Sequence, residues 1–127
     1  MWPDMELAVM RGIRPLLDGV RVTDEIPPRV ETLGAVVVIQ VAGGADDHIS
    51  DSPVMDVSTF AADRSAMWAL AERARHAVHA LAATVAGGVV VDRVETEQRP
   101  VEVPYGNPGV RRAIATYRLT TRARTDT

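Results

Sequence analysis

The hydrophobic positions along the chain change their spacing several times, and the first such pattern indicates a helix. From Asp4 to Leu17 the apolar residues recur at intervals of three and four, as on one face of an α-helix. Asp4 is a suitable N-cap, while Gly12 weakens the helix and Pro15 marks its last turn or a kink. The face predicted to be buried consists of Met5, Ala8, Val9, Ile13, Leu16 and Leu17.

Extended segments follow this helix. Residues 20–23 alternate between apolar and polar side chains, as in a short strand. Residues 35–41, AVVVIQV, are almost continuously apolar, which indicates a strand buried on both faces of a sheet. The glycine pair after this run is expected to end the strand. The polar segment ADDHISDSP is then expected to be a loop, and residues 54–61 are expected to form the next strand.

The clearest helix of the chain covers roughly residues 63–84 and begins at Asp63 or Ser65. Its apolar residues repeat at helical spacing, and charged residues take the remaining positions. Gly87 and Gly88 are expected to end this helix as a C-cap. The residues predicted to be buried are Ala66, Met67, Leu70, Ala74, Ala77, Val78 and Leu81.

The C-terminal part is extended again. Residues 89–97 form a strand that Pro100 interrupts, residues 113–120 form the last strand, and residues 122–127 are expected to be a polar tail. Strand–helix–strand in the middle of the chain predicts a crossover, and hairpin-like joins on either side predict antiparallel pairing. The predicted fold class is therefore α+β, with a single mixed, mostly antiparallel β-sheet flanked by two α-helices.

Composition narrows the possible functions. The 127 residues suit one domain, 1–127, and only 4% of them are aromatic, so the core is small and oligomerisation would help to stabilise it. Lysine is absent, and 14 arginines face 17 acidic residues, which argues against a dedicated nucleic-acid binder. Without cysteine, disulfides, thiol nucleophiles and zinc–cysteine sites are excluded. We find no secretory signal and no membrane-length apolar run, so we expect a cytoplasmic protein.

Candidate catalytic chemistry is sparse. The segment DDHISD carries oxygen and imidazole donors that suit a divalent cation, although a solvated acidic loop explains it better. His76 and His79 have a spacing that can hold a metal, but no third ligand is evident beside them. Asp56 lies inside a strand, where it is either a buried carboxylate or faces solvent or a neighbouring subunit. No nucleophile, base and oxyanion donor assemble in the sequence, so we expect no enzyme and no cofactor.

The segment VPYGNPGVRR, residues 103–112, is the most distinctive connection in the chain. Its two prolines fix φ and its two glycines allow positive φ, so the loop should hold one shape and lose little entropy on docking. Tyrosine and arginine are enriched where proteins bind one another. A structured turn with solvated arginines is the alternative. The candidate interface residues are Tyr105, Asn107, Arg111 and Arg112.

Several of these segments, in this order, resemble a known family. They are PDMELAV, then VTDEIPPRVE leading into AVVVIQVAGG, then the acidic ADDHISD before MDVSTFA and an alanine-rich helix, and finally PYGNPGVRR before ATYRLTTR. In order and spacing the chain is similar to the tail terminator (tail-completion) proteins of long-tailed bacteriophages, especially those of actinobacterial hosts. The resemblance covers nearly the whole chain, and the order of its motifs is more specific than any one of them.

The resemblance implies a structural role without catalysis. Family members form a hexameric ring on the last ring of the tail tube, stop tube polymerisation and provide the face that joins the head. The implied partners are five further copies of the chain, the tail tube protein and a head-completion or connector protein. Genomic DNA would pass through the ring without specific binding. The implied location is the head-proximal end of the tail in the virion, after assembly in the host cytoplasm.

Two charged segments then become candidate contact sites. We expect Tyr105, Asn107, Arg111 and Arg112 at a subunit or tube contact, and we expect the acidic loop to line the lumen or the docking face, where it would repel DNA. Because contacts in a ring are heterologous, the two segments would supply complementary patches. The alternatives are a head-closure or connector ring protein and, from another class, a small metal-dependent enzyme. The acidic residues concerned are Asp46, Asp47 and Asp51.

Overall fold

The structure is a computed structural model, and it describes residues 4–46 and 51–123. Within these residues a six-stranded sheet carries two α-helices on one face. In chain order the elements are α1 (Met5–Ile13), a 3-10 turn (Arg14–Leu16), β1 (Arg21–Thr23), a second 3-10 turn (Val30–Thr32), β2 (Val36–Asp46), β3 (Asp51–Ala61), α2 (Arg64–His79), β4 (Thr84–Ala86), β5 (Val89–Val103) and β6 (Arg111–Ala123).

The sheet has the strand order β1-β2-β3-β6-β5-β4, and all neighbours are antiparallel except β1 and β2. The predicted α+β class with a mixed, mostly antiparallel sheet is confirmed. The crossover also exists, because β3 and β5 both run antiparallel to β6 between them and are therefore parallel to each other. The expected hairpin-like join is wrong for β1 and β2. The connection between them is long enough to return the chain to the start of a parallel strand.

Helix α1 begins as the sequence predicts but ends sooner. The Asp4 carboxylate accepts a hydrogen bond from the Leu7 N–H at 3.1 Å, so Asp4 is the N-cap. Pro15 lies in the 3-10 turn that follows α1. A 3-10 helix has about three residues per turn, fewer than an α-helix, so the apolar side chains after Ile13 no longer continue the buried face of α1. Leu16, predicted to be buried, is 52% exposed, whereas Met10 is buried.

Helix α2 begins at the first of the two predicted positions, since the Asp63 carboxylate accepts a hydrogen bond from the Ala66 N–H at 2.8 Å. It ends at His79, and the glycine pair does not cap it. Gly87 and Gly88, with φ of 55° and 81°, instead form the two-residue turn between β4 and β5. The predicted buried face is correct except for Ala66, which is exposed in the first turn.

The glycine pair Gly43–Gly44 does not end β2 as expected. The strand continues to Asp46, with a register shift between Val41 and Gly43, so part of the predicted polar loop is a β-hairpin. Gly44 has a φ of +139°, and a side chain there would collide with the backbone at Ser52. The glycine is therefore needed because two backbones approach closely at this point.

Strand β2 is buried on both faces over its first four residues, which confirms the prediction for that part of the run. Val37 and Ile39 belong to the main core beneath the helices. Val36 and Val38 face the other way into a smaller core, which the segment around the second 3-10 turn and the β5–β6 connection help to cover. The strand lies second from the sheet edge.

The two C-terminal strands are longer than predicted. Strand β5 continues past Pro100, which sits within a register shift between Gln98 and Val101. Strand β6 runs to Ala123, so Arg122 belongs to the sheet and only the residues after β6 remain for the expected polar tail. Residues 124–127 lie outside the described residues.

Candidate functional site: the two ends of the sheet

The β5–β6 connection, residues 104–110, is held on its own sheet by aromatic packing. Tyr105 is half-buried and lies edge-to-face on the fully buried Phe60, with ring centroids 5.1 Å apart. The Arg112 guanidinium lies 5.1 Å from the centre of the Tyr105 ring and donates a hydrogen bond to the Pro104 carbonyl at 3.1 Å. Tyr105 and Arg112 therefore both stabilise the loop that carries them.

Asn107 ties the same connection to a distant part of the chain. Its amide nitrogen donates to a Glu31 carboxylate oxygen at 3.1 Å, and its amide oxygen accepts the Gly109 N–H at 2.9 Å. Gly106 has a φ of +83°, a conformation that favours glycine. The expectation of a loop with one defined shape agrees with these contacts.

The pair of arginines at the start of β6 is less positive than the sequence alone indicates. Arg111 forms an ion pair with Glu102 across the hairpin, with nitrogen and oxygen 2.9 Å apart. Both side chains remain partly exposed, so the pair contributes little to folding. The four predicted interface residues thus all have partners within the chain. Their role in a contact between molecules stays a prediction.

The β2–β3 tip is the end of the sheet at which β2 ends, at Asp46, and β3 begins, at Asp51. Asp46 pairs with Asp51 in the ladder of this hairpin, while Asp47 lies outside the described residues. At the tip, Asp51 of β3 is aligned with Thr121 of β6. At the other end of β3, ten residues further along, Ala61 is aligned with Arg111, where the β5–β6 connection joins β6. At about 3.3 Å per residue, the tip and the β5–β6 connection are roughly 33 Å apart, at opposite ends of the sheet.

A polar group that sequence reasoning missed lies between α2 and the sheet. His79 shares a hydrogen bond of 2.7 Å with the Thr96 hydroxyl, and its ring lies edge-to-face on Tyr117 at 5.7 Å. Burial, helped by the positive charge of Arg75, lowers the pKa of His79, which favours a neutral ring. Burial also raises the pKa of Tyr117 to about 12, and the Tyr117 hydroxyl has no hydrogen-bond partner within the described residues.

The candidate metal ligands do not converge within the described residues. His76 contacts Glu72 at 3.2 Å, whereas His79 turns to Thr96, so the two imidazoles have different partners. Asp56 accepts a hydrogen bond of 2.7 Å from the Thr116 hydroxyl on the face opposite the helices. Residues 4–46 and 51–123 contain no group of three or more His, Asp or Glu side chains arranged to hold a metal.

The described helices do not include one with the length and apolarity to span a bilayer.

Comparison with known proteins gives a likeness in fold. No family model and no curated protein matches the chain. Among solved structures, the chain matches one in a structure described as the virion of a native gene transfer agent (GTA) particle. The match has a TM-score of 0.61 and 19% identity, and it covers 94% of this chain and 95% of that chain. The chain therefore shares the fold of a component of that virion over nearly its whole length.

Proposed function

We propose that this protein is a structural protein of a phage-like particle, and that it acts as a tail terminator. The observation that carries the proposal is the fold likeness, which extends over 94% of this chain and 95% of the virion chain. The fold likeness supports a component of a phage-like virion, and the more specific assignment as a tail terminator rests on the order of sequence motifs, which resembles that of the tail terminators of long-tailed phages. In this account six copies form a ring on the last ring of the tail tube, stop its growth and present the face that joins the head.

The distribution of candidate contact segments over the molecule suits a component with a partner on each side. The acidic β2–β3 tip and the β5–β6 connection lie at opposite ends of the sheet. In a ring whose subunits stand side by side with their strands along the ring axis, these segments do not meet between neighbours. They face opposite directions along the ring axis. We infer that one end contacts the tube protein and the other the head-completion protein.

Passage of DNA through such a ring requires a surface that does not hold phosphates. The chain carries a net charge of −3, and three arginines on β5 and β6 are paired with carboxylates, namely Arg93, Arg118 and Arg122. Arg118 lies 2.7 Å from Glu97, and Arg122 lies 3.2 Å from Asp92. Arginines paired in this way have less free charge to offer to a phosphate backbone. The proposed role therefore includes no specific DNA binding, and, as in the family that the sequence resembles, it involves no catalysis and no cofactor.

Controlled polymerisation of tail tubes tests the proposal. The tube protein of the same particle is allowed to polymerise with and without this chain, and tube lengths are measured by electron microscopy. We expect the chain to bind at one end, to stop growth and to make the tubes competent to join DNA-filled heads. Tubes that grow and join heads equally well with and without the chain would contradict the assignment. A chain that leaves tubes unchanged but stops DNA leaking from heads would be a head-closure protein.

A further inference from the structure

Both lateral edges of the sheet are left partly uncovered. Strand β1 pairs with β2 only at Val36–Val38, so residues 39–46 of β2 have no strand partner on that side within the described residues. On the opposite edge, β4 pairs with β5 only at Val89–Val91, so the rest of β5 has no strand partner there either. An uncovered edge presents unpaired N–H and C=O groups that can accept another strand.

The two uncovered segments occupy the same positions along the strand direction, at opposite edges of the sheet. At one end of the uncovered segments, Asp46 of β2 is aligned across the sheet with Val91 of β5. The alignment passes through Asp51 of β3 and Thr121 of β6. At the other end, Gln40 aligns through the two intervening strands with Gln98. Residues 39–46 and 92–99 are therefore eight-residue segments at matching positions. They run in opposite directions, because the intervening strands alternate in direction.

A carboxylate from α1 protects the β2 edge in the single chain. Glu6 accepts a hydrogen bond of 2.8 Å from the Val41 N–H, the place where the carbonyl of an added strand would bind. Charged groups at an exposed edge are a common protection against uncontrolled strand pairing. An incoming strand would have to displace this carboxylate, which would then need a new partner.

We propose that residues 92–99 of one copy pair antiparallel with residues 39–46 of the next copy, so that the subunits of the ring are joined through their sheet edges. The inference rests on the proposed function, which supplies the ring. The contact is heterologous because the two edges are different surfaces, and repetition about an axis closes a ring. Pro100 has no N–H to donate and limits the pairing to the segment before it.

Charge and apolar surface complement each other across this contact. The Arg99 side chain is exposed and forms no hydrogen bond or ion pair within the described residues. The register places Arg99 about two residue positions along the sheet from the level of Val41, the residue that Glu6 binds, which is roughly 7 Å and within reach of a long side chain. The displaced Glu6 carboxylate therefore gains an arginine partner. Exposed apolar side chains also occur on both edges, with Leu7 and Val41 on one and Val101 on the other. Beside Val101, a groove between α2 and β5 is lined by Trp68, Ala71 and Pro100.

Disulfide cross-linking tests the contact, because the natural chain has no cysteine. Gln40 and Gln98 are exposed and belong to one cross-strand row on the helix-free face. The variant with both Gln40→Cys and Gln98→Cys should give, after oxidation of rings on tail tubes, a ladder of covalent species up to six chains. A second pair, Gln40→Cys with Val101→Cys, covers a shift in register. Each single variant should give no ladder.

A charge exchange gives an independent readout. Arg99→Glu and Glu6→Arg should each reduce the fraction of tubes carrying a ring at least several-fold, and the two changes in one chain should restore it. Arg64→Glu in the exposed first turn of α2 is the matched control, because the Arg64 side chain has no hydrogen bond or ion pair within the described residues, and it should have no effect. Circular dichroism of each variant verifies that the monomer is folded.

The outcomes separate this inference from the proposed function. Sixfold rings on the tubes without cross-links from either cysteine pair would overturn the edge contact and leave the ring standing. Dimers from Gln40→Cys alone would also overturn it, because they would show two-fold pairing of β2 with β2. The absence of any ring on the tubes would overturn both proposals.

Discussion

Replacement of Phe60 by alanine is expected to lower the free energy of unfolding by about 3–5 kcal/mol. Phe60 is fully buried in the smaller core, where it packs with Val30, Val36 and Val110. The truncation removes apolar contacts and leaves a cavity, and it also takes away the ring on which Tyr105 rests. The expected loss is a large part of the total stability of a typical domain, about 5–15 kcal/mol. Urea-induced unfolding followed by circular dichroism measures it.

The same variant should free the β5–β6 connection before the whole chain unfolds. Chymotrypsin should cleave after Tyr105 faster in Phe60→Ala than in the natural chain at a temperature where both are folded. Phe60→Leu is the matched control, since it keeps most of the apolar volume and should show smaller effects in both assays. An alanine variant as stable as the natural chain would show that the smaller core does not hold the connection.

At alkaline pH the protein is expected to lose about 3 kcal/mol of stability through the ionisation of Tyr117 alone. The pKa of this tyrosine rises from the ordinary value of 10.0 to about 12 because the side chain is buried. The folded chain thus holds the phenolic proton more tightly than the unfolded chain. This contribution is fully present below pH 10 and is lost as the pH rises to about 12. Urea unfolding between pH 8 and pH 12 measures the loss.

The composition makes this titration easy to interpret. The chain has no lysine and no cysteine, so tyrosines are its only side chains with ordinary pKa values near 10. Tyr117→Phe should remove the contribution of Tyr117 to the alkaline loss, and it should also stabilise the neutral protein by up to about 1 kcal/mol because it deletes a buried hydroxyl without a partner. Tyr105→Phe is the matched control and should retain that contribution. An unchanged pH profile in Tyr117→Phe would contradict this explanation.

The sequence predicted those parts of the fold that depend on local chemistry. Asp4 and Asp63 cap the helices that they were predicted to cap, and the apolar spacing of α2 identified most of its buried face. Glycine pairs were harder to interpret, because a glycine can end a strand, form a turn or allow close approach. Gly44 is needed for close backbone approach, and Gly87 forms a hairpin turn. Only the partner strand distinguishes these roles.

The candidate contact segments were identifiable from sequence, but their surroundings were not. The arginines after VPYGNPG suggested a positive tip, yet Arg111 pairs with Glu102 across a hairpin whose register the sequence does not specify. Asn107 bonds to Glu31, which is 76 positions away in the chain. The uncovered sheet edges also escaped sequence reasoning, because they depend on how far β1 and β4 extend along their neighbours.

Electron cryomicroscopy of tails assembled with this chain tests the central claim most directly. The account predicts six copies in a single ring at one end of the tube, with the acidic tip and the β5–β6 connection facing opposite directions along its axis. Tails whose ends lack the chain, or tubes that carry it along their whole length, would contradict the assignment as a tail terminator.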